Sequence, residues 1–202
     1  MKIKDVASAA SIARIEEYVR LLDRWRRITN LISDDSFQDV WERHVIDSIG
    51  LQQTFPAAAR WLDFGSGAGF PGVILGIMLA DRSGAQIHCV ESDGRKCAFL
   101  RTVAQTLRIP VKVHNRRAEG LTVEDTGYVE IVTARAFSSV DKILALSELY
   151  LRSSATLVLP RGKTSAIEVE EIDTSRYTLN VHANPTAGGG TFLQIQLRAR
   201  GL

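Results

Sequence analysis

Trp61-Leu62-Asp63-Phe64-Gly65-Ser66-Gly67-Ala68-Gly69-Phe70-Pro71-Gly72 is the stretch on which the fold of this chain turns. A short apolar run, Trp61-Leu62, leads into acidic-x-Gly-x-Gly-x-Gly. Val73, Ile74, Leu75, Ile77, Met78 and Leu79 then follow with helical periodicity. A strand therefore enters a glycine-rich turn and leaves it as a helix. Glycine has no Cβ and tolerates positive φ, so a ligand can approach the backbone of such a turn closely. Pro71 suits the first helical turn, where its missing N–H costs nothing.

Outward from this turn the pattern alternates. Strands are predicted over 60–64, 86–91, 111–114, 129–133, 154–159, 177–182 and 191–197, and helices over 71–80, 94–107, 139–151 and 164–172. Strands alternating with helices imply a mostly parallel sheet covered on both faces. The last two strands are joined by Asn184-Pro185 and Gly188-Gly189-Gly190, with no helix between them, so the sheet ends in an antiparallel hairpin. Upstream, residues 8–29 read as an amphipathic helix through Ile12, Ile15, Val19, Leu22 and Trp25. Residues 36–53 read as a second helix carrying Val40, Trp41, Val45 and Ile49, and Pro56 closes the extension. The expected organisation is an N-terminal helical extension, 1–56, and a sheet domain, 57–202.

Gly67-x-Gly69-x-x-Gly72 also fits the dinucleotide-binding fingerprint. Asp63 argues against a pyrophosphate there and suits a cationic ligand bearing a sulfonium and an α-amino group. With that acid the turn resembles motif I of the S-adenosylmethionine (SAM)-dependent methyltransferases. The class I form of that fold is an α/β, Rossmann-like sheet, mostly parallel and ending in an antiparallel hairpin.

Composition narrows the class without choosing a partner. The 202 residues fit one domain, and 45% hydrophobic with 24% charged residues is enough for a sizeable core. A net charge of +2 does not by itself announce nucleic acid. Cys89 and Cys97 show neither metal-ligand spacing nor a disulfide framework, so no metal is expected. Met1-Lys2-Ile3-Lys4-Asp5 leads into no apolar signal segment, and no apolar run is long enough to span a membrane. A cytoplasmic monomer without membrane contact is the expectation.

Several side chains are placed to do chemistry. Glu91 ends the second strand, where an acid accepts hydrogen bonds from ribose hydroxyls. Ala118 and Glu119 follow the third strand, beside the adenine in a fold of this kind. Arg135 ends the fourth strand and points toward the cleft, to pair with a ligand carboxylate or with Asp63 or Glu119. His44 and Asp47 lie three apart on one helix face, as a packing pair or a catalytic dyad. From Arg95 to Arg117 there are seven basic residues and no acid: Arg95, Lys96, Arg101, Arg108, Lys112, Arg116 and Arg117. That stripe is a solvated face or a phosphate-binding one. Arg24, Arg26 and Arg27 before the turn, with Arg161 and Lys163 after the fifth strand, extend it.

Taken together, these segments resemble one family. They are Arg24-Trp25, Thr29-Asn30-Leu31, Arg43-His44-Val45-Ile46-Asp47-Ser48, and Asp63 through Gly72. Val90-Glu91-Ser92, Lys96-Cys97-Ala98-Phe99-Leu100-Arg101, Arg117-Ala118-Glu119 and Thr133-Ala134-Arg135-Ala136 complete the set. The family is RsmG (GidB), the bacterial 16S rRNA guanine-N7 methyltransferases, and the resemblance covers about residues 24 to 162. It implies SAM as cofactor, held at Gly65, Gly67, Gly69, Phe70, Glu91, Ala118, Glu119 and Arg135. It implies a guanine acceptor in the decoding-region loop of 16S rRNA, met as RNA or as small ribosomal subunit. RNA-binding candidates are Arg95, Lys96, Arg101, Arg116, Arg117, Arg161 and Lys163; positioning candidates are Arg135, Arg161, His44 and Asp47, with no certain catalytic residue. The chain departs from the family in carrying Arg161-Gly162 after Pro160 where Lys-Gly is usual, and in lacking a basic residue at Gly188-Gly189-Gly190-Thr191. The alternative is a methyltransferase of the same fold with another RNA, a protein or a small molecule as acceptor.

Overall fold

The structure is a computed structural model that describes residues 3–135, 138–161, 172–186 and 190–198. Seven strands form one sheet: β1 (Arg60–Phe64), β2 (Gln86–Glu91), β3 (Val111–Asn115), β4 (Ile131–Ala134), β5 (Thr156–Arg161), β6 (Tyr177–Ala183) and β7 (Thr191–Leu197). Their order is β3-β2-β1-β4-β5-β7-β6. The first five run parallel, while β7 is antiparallel to both β5 and β6. This is the class I methyltransferase sheet, ending in the expected hairpin.

Among the described residues seven α-helices flank it: α1 (Ala9–Arg26), α2 (Asp34–Gln38), α3 (Ile46–Thr54), α4 (Gly72–Met78), α5 (Gly94–Leu107), α6 (Val123–Thr126) and α7 (Val140–Arg152). Alternation along each central strand divides the core between the two faces. Trp61, Ile87, Cys89 and Ile131 pack with α1, α3, α4 and α5. Leu62, Phe64, Val90 and Val132 pack with α7 on the other face. Because β1 to β4 are parallel, Phe64, Glu91, Asn115 and Ala134 end on one edge of the sheet. The residues that follow them are brought together there.

The N-terminal helices share the first of these clusters. The buried stripe of α1 is Ile15, Tyr18, Leu21 and Leu22; Ile12, Val19 and Trp25, expected in the stripe, are only half-buried. The face is rotated because Tyr18, omitted from the expected stripe, sits at its centre. The helix predicted over 36–53 is broken into three. Ser33 caps the Ser36 N–H at 3.2 Å, so α2 begins at Asp34. A π-helical segment, Val40–Val45, then leads into α3. Its i→i+5 hydrogen bonds widen the turn, and Val40 and Val45 are its buried residues.

Two strand boundaries move. Ser154 has φ 71°, and Ala155 N–H bonds Tyr150 O at 3.0 Å, so the end of α7 occupies residues expected in a strand. β5 therefore starts at Thr156 and not at 154. β4 starts at Ile131 and not at 129. Ala118–Gly120 forms a 3-10 turn, and α6, opened by a Thr122–Asp125 capping box, was not expected. The helix expected over 164–172 falls almost wholly outside the described residues.

Candidate active site

The glycine turn is held peptide by peptide. Gly65 and Ser66 N–H groups donate to Val90 O at 2.9 and 3.1 Å. Gly67 N–H donates to Glu91 Oε2 at 3.0 Å, and Asp93 N–H to Glu91 Oε1 at 2.9 Å. Gly69 N–H donates to Ser66 O at 2.6 Å. Gly65, Gly67 and Gly69 have φ of 68°, 53° and 107°, so a side chain at any of them is strained. Each Glu91 oxygen keeps a lone pair beyond the bond it accepts, and so remains able to accept from a ligand diol.

A cavity of about 330 Å³ opens against this turn, lined by Gly65, Gly67, Val90, Glu91, Ser92, Lys96, Arg116, Arg117, Ala118, Glu119 and Lys142. Five of the expected cofactor contacts are on this wall: Gly65, Gly67, Glu91, Ala118 and Glu119. Gly69, Phe70 and Arg135 are not. Lys142, Ser92 and Val90 were missed. The signal for Lys142 was topological, since it stands in the first turn of the helix that leaves β4 and therefore on the ligand edge. Lys142 Nζ lies 3.1 Å from Glu119 Oε1. The backbone N–H of Glu119 itself and then Lys142 hold that carboxyl below its usual range.

Asp63 faces inward, away from this cavity. It is wholly buried, and Oδ2 accepts the Gly72 N–H at 3.2 Å, which ties β1 to the start of α4. Oδ1 has no hydrogen-bond partner among the described residues. Burial raises its pKa to about 7, against the opposing pull of Ser66, the Gly72 N–H and Arg135. The acid expected to meet a cationic ligand is thus a brace for the turn.

Phe70 and Arg135 belong to a second group, on the α1–α3 side. Phe70 meets Tyr18 edge-on at 5.4 Å and stacks on His44 at 5.0 Å and 28°. Arg135 Nη2 donates to Arg43 O at 2.9 Å. Burial lowers the Arg135 pKa, while Asp47 and Asp63 oppose the shift. Pairing of Arg135 with Glu119 is overturned, because Glu119 pairs with Lys142. The His44–Asp47 dyad is also absent. Asp47 Oδ1 accepts from Asn184 Nδ2 at 3.0 Å, whereas neither ring nitrogen of His44 has a hydrogen-bond partner among the described residues. Burial, then Arg135 and Arg43, press the His44 pKa down to about 4, so the ring is neutral at physiological pH.

The cations divide by commitment. Arg95 and Arg101 are exposed on α5, and Arg117 is exposed at the cavity rim beside half-buried Lys96. Arg116 is pinned to Asp125 at 2.8 Å and to Gly120 O at 3.2 Å. Half-buried Arg161 ends β5 opposite Thr191 of β7. Lys163 lies outside the described residues. Among the described residues no cluster of His, Cys, Asp and Glu is arranged to hold a metal, and no helix is long and apolar enough to cross a membrane.

Comparison with known proteins adds a family. The family model described as rRNA small subunit methyltransferase G (GidB) matches residues 11–189. A Methylorubrum extorquens protein named "Ribosomal RNA small subunit methyltransferase G" is 41% identical over 168 residues, 82% of this chain and 78% of that protein. A Caulobacter vibrioides protein of the same name is 40% identical over 165 residues, 82% of this chain and 74% of that protein. Solved structures agree on the fold. A SAM-dependent methyltransferase from Aquifex aeolicus aligns with TM-score 0.56 at 14% identity, over 79% of this chain and 93% of that one. A precorrin-6y C5,15-methyltransferase from Geobacter metallireducens aligns with TM-score 0.55 at 12% identity, over 83% of this chain and 91% of that one.

Proposed function

This chain belongs to the rRNA small subunit methyltransferase G (GidB) family, and from that premise we propose that it methylates N7 of a guanine in the decoding-region loop of small-subunit rRNA. It is a SAM-dependent rRNA methyltransferase. The observation that carries the reading is the cavity built on Gly65, Gly67 and Glu91, whose wall continues into Lys96, Arg117 and Lys142. A nucleoside suits the first part of that wall, and a polyanion suits the second.

The residues present fit SAM. Gly65 and Gly67 leave room beside the backbone, Glu91 offers acceptor lone pairs to a ribose diol, and Ala118 with Glu119 forms the opposite wall for adenine. SAM, when bound, supplies an electrophilic methyl group beside a positive sulfur. Guanine N7 carries a free lone pair and loses no proton on methylation. The protein therefore needs to align the acceptor rather than to deprotonate it. That is consistent with a neutral, unpaired His44 and with the lack of a His–Asp dyad.

RNA binding follows from Arg95, Lys96, Arg101 and Arg117, exposed or half-exposed along one stretch, with unstacking of the target base from its loop. Arg116 serves the fold first, through Asp125. The reading takes the enzyme as a cytoplasmic monomer that acts on 16S rRNA or on the small subunit.

The test is transfer of labelled methyl from SAM to unmethylated small-subunit RNA and particles, followed by nucleoside digestion. Labelled 7-methylguanosine is expected. Measurable SAM binding without label in RNA would overturn the acceptor and leave the fold and cofactor standing.

A further inference from the structure

One clamp on the glycine turn comes from outside the sheet domain. The Tyr18 hydroxyl, on α1, donates to Ala68 O at 2.7 Å, and both partners are buried. The same peptide unit is held from its other side by Gly69 N–H on Ser66 O at 2.6 Å. Its plane is therefore set by two bonds, one local and one from a helix fifty residues earlier. The ring is held in turn: Phe70 edge-on at 5.4 Å and Phe99 at 6.3 Å. Tyr18 is wholly buried, so its hydroxyl has no water to exchange with and the bond to Ala68 is obligatory.

The rest of the turn explains why this peptide needs a clamp. Gly65 and Ser66 hang on Val90 O, Gly67 on Glu91, and Gly72 on Asp63. Between Gly67 and Gly72 the chain passes Gly69 at φ 107°, a region only glycine enters freely. Without Tyr18 the Ala68–Gly69 peptide keeps only its local hydrogen bond to Ser66 O, and it can turn about the ψ of Ala68 and the soft φ of Gly69. Rotation there moves Gly67, which lines the cavity and carries the N–H that orients Glu91.

We propose that Tyr18 is a positioning residue for cofactor binding, acting through Ala68 O to hold the Gly67–Gly69 backbone in its binding-competent form. The N-terminal extension thereby sets the affinity of a pocket whose wall it does not join. The proposal rests on the assignment of the glycine turn as the SAM site.

The test is Tyr18→Phe, which removes one oxygen and keeps the ring. Tyr150→Phe is the matched control, since its hydroxyl, on a side chain that is likewise buried, donates to a backbone carbonyl outside the turn, Thr122 O at 3.2 Å. SAM dissociation constants by calorimetry, melting temperatures, and amide exchange at Gly67 and Gly69 are measured for the wild type and both variants. Tyr18→Phe is expected to weaken SAM binding about fivefold, the worth of one hydrogen bond, and to speed exchange at Gly67 and Gly69. Tyr150→Phe is expected to lower the melting temperature and leave SAM affinity unchanged. Equal SAM affinity in Tyr18→Phe and the wild type overturns the proposal. An equal loss in Tyr150→Phe also overturns it, by showing general softening. No SAM binding by the wild type sinks the site assignment instead.

Discussion

Gly72 shows how little room the turn leaves at the level of one atom. A Cβ there would lie 2.5 Å from Cys89 Sγ and 2.8 Å from Asp63 Oδ2. Both neighbours belong to the sheet, one on β2 and one on β1, so neither can swing aside. Its φ is ordinary, and the demand for glycine is purely one of approach. Gly72→Ala is expected to destabilise the fold by about 1–3 kcal/mol through overpacking and to weaken SAM binding by shifting the start of α4. Urea unfolding and calorimetry check the two effects, and an unchanged midpoint would show that α4 can retreat. At this scale the sequence was legible for Gly65, Gly67 and Glu91, because turn chemistry and strand ends are local properties. It was not legible for Asp63, whose residue type suggested a ligand contact. Its burial depends on which face of β1 the α4 helix covers.

Adjacent strands β2 and β3 carry a second unforeseen pair, His88 and His114. Both are buried, with His88 Nδ1 and His114 Nε2 separated by 2.8 Å, so one ring donates to the other. The register that places His88 beside Lys112 and His114 beside Val90 brings them together. Burial, then His114, lowers the His88 pKa to about 4, and burial lowers that of His114. Unfolded histidine titrates near 6.5, so in this window the unfolded chain binds more protons. The contribution of these histidines to stability therefore rises with pH, while buried Asp63, raised to about 7, acts in the opposite sense over the same window. The histidine contribution is complete above about pH 6.5 and falls as pH drops toward about 4. Urea midpoints are expected to decrease between about pH 7 and about pH 5, and replacing both histidines by Gln is expected to flatten that slope. A slope unaffected by the double replacement would assign the acid sensitivity elsewhere, with His44 the next candidate. Elements themselves were readable from periodicity, apart from the π turn and the short α6. Helix breaks of that kind arise from packing, here of Val40 and Val45 in the core shared with α1.

Across the whole molecule, the N-terminal helices and the sheet fold as one apolar body. Ile15, Tyr18 and Leu22 of α1 are wholly buried in the cluster that also holds Phe99 and Trp61. Asn184, beyond β6, reaches Asp47 of α3, so the hairpin end of the sheet also rests on the extension. Leu22→Ala is expected to cost about 2–4 kcal/mol, a large part of a typical net stability of about 5–15 kcal/mol. Tryptophan fluorescence and far-ultraviolet dichroism are expected to report one coincident, shifted transition. Two separated transitions would show the extension unfolding alone.

The sequence by itself determined the α/β alternation, the hairpin ending, the glycine turn with its acid, and Glu91 at a strand end. Each of these is written within a few residues, as a period, a run of glycines or a charge after an apolar strand. Tertiary structure alone decided that Asp63 braces α4, that Asp47 serves Asn184 and leaves His44 unpaired, and that Arg135 rests on Arg43. It also decided that Tyr18 reaches Ala68. The bonds from Tyr18, Arg135 and Asn184 span 50, 92 and 137 residues. A side chain's partner at such separations is set by which strands lie side by side and which helix covers them, and no local period records that.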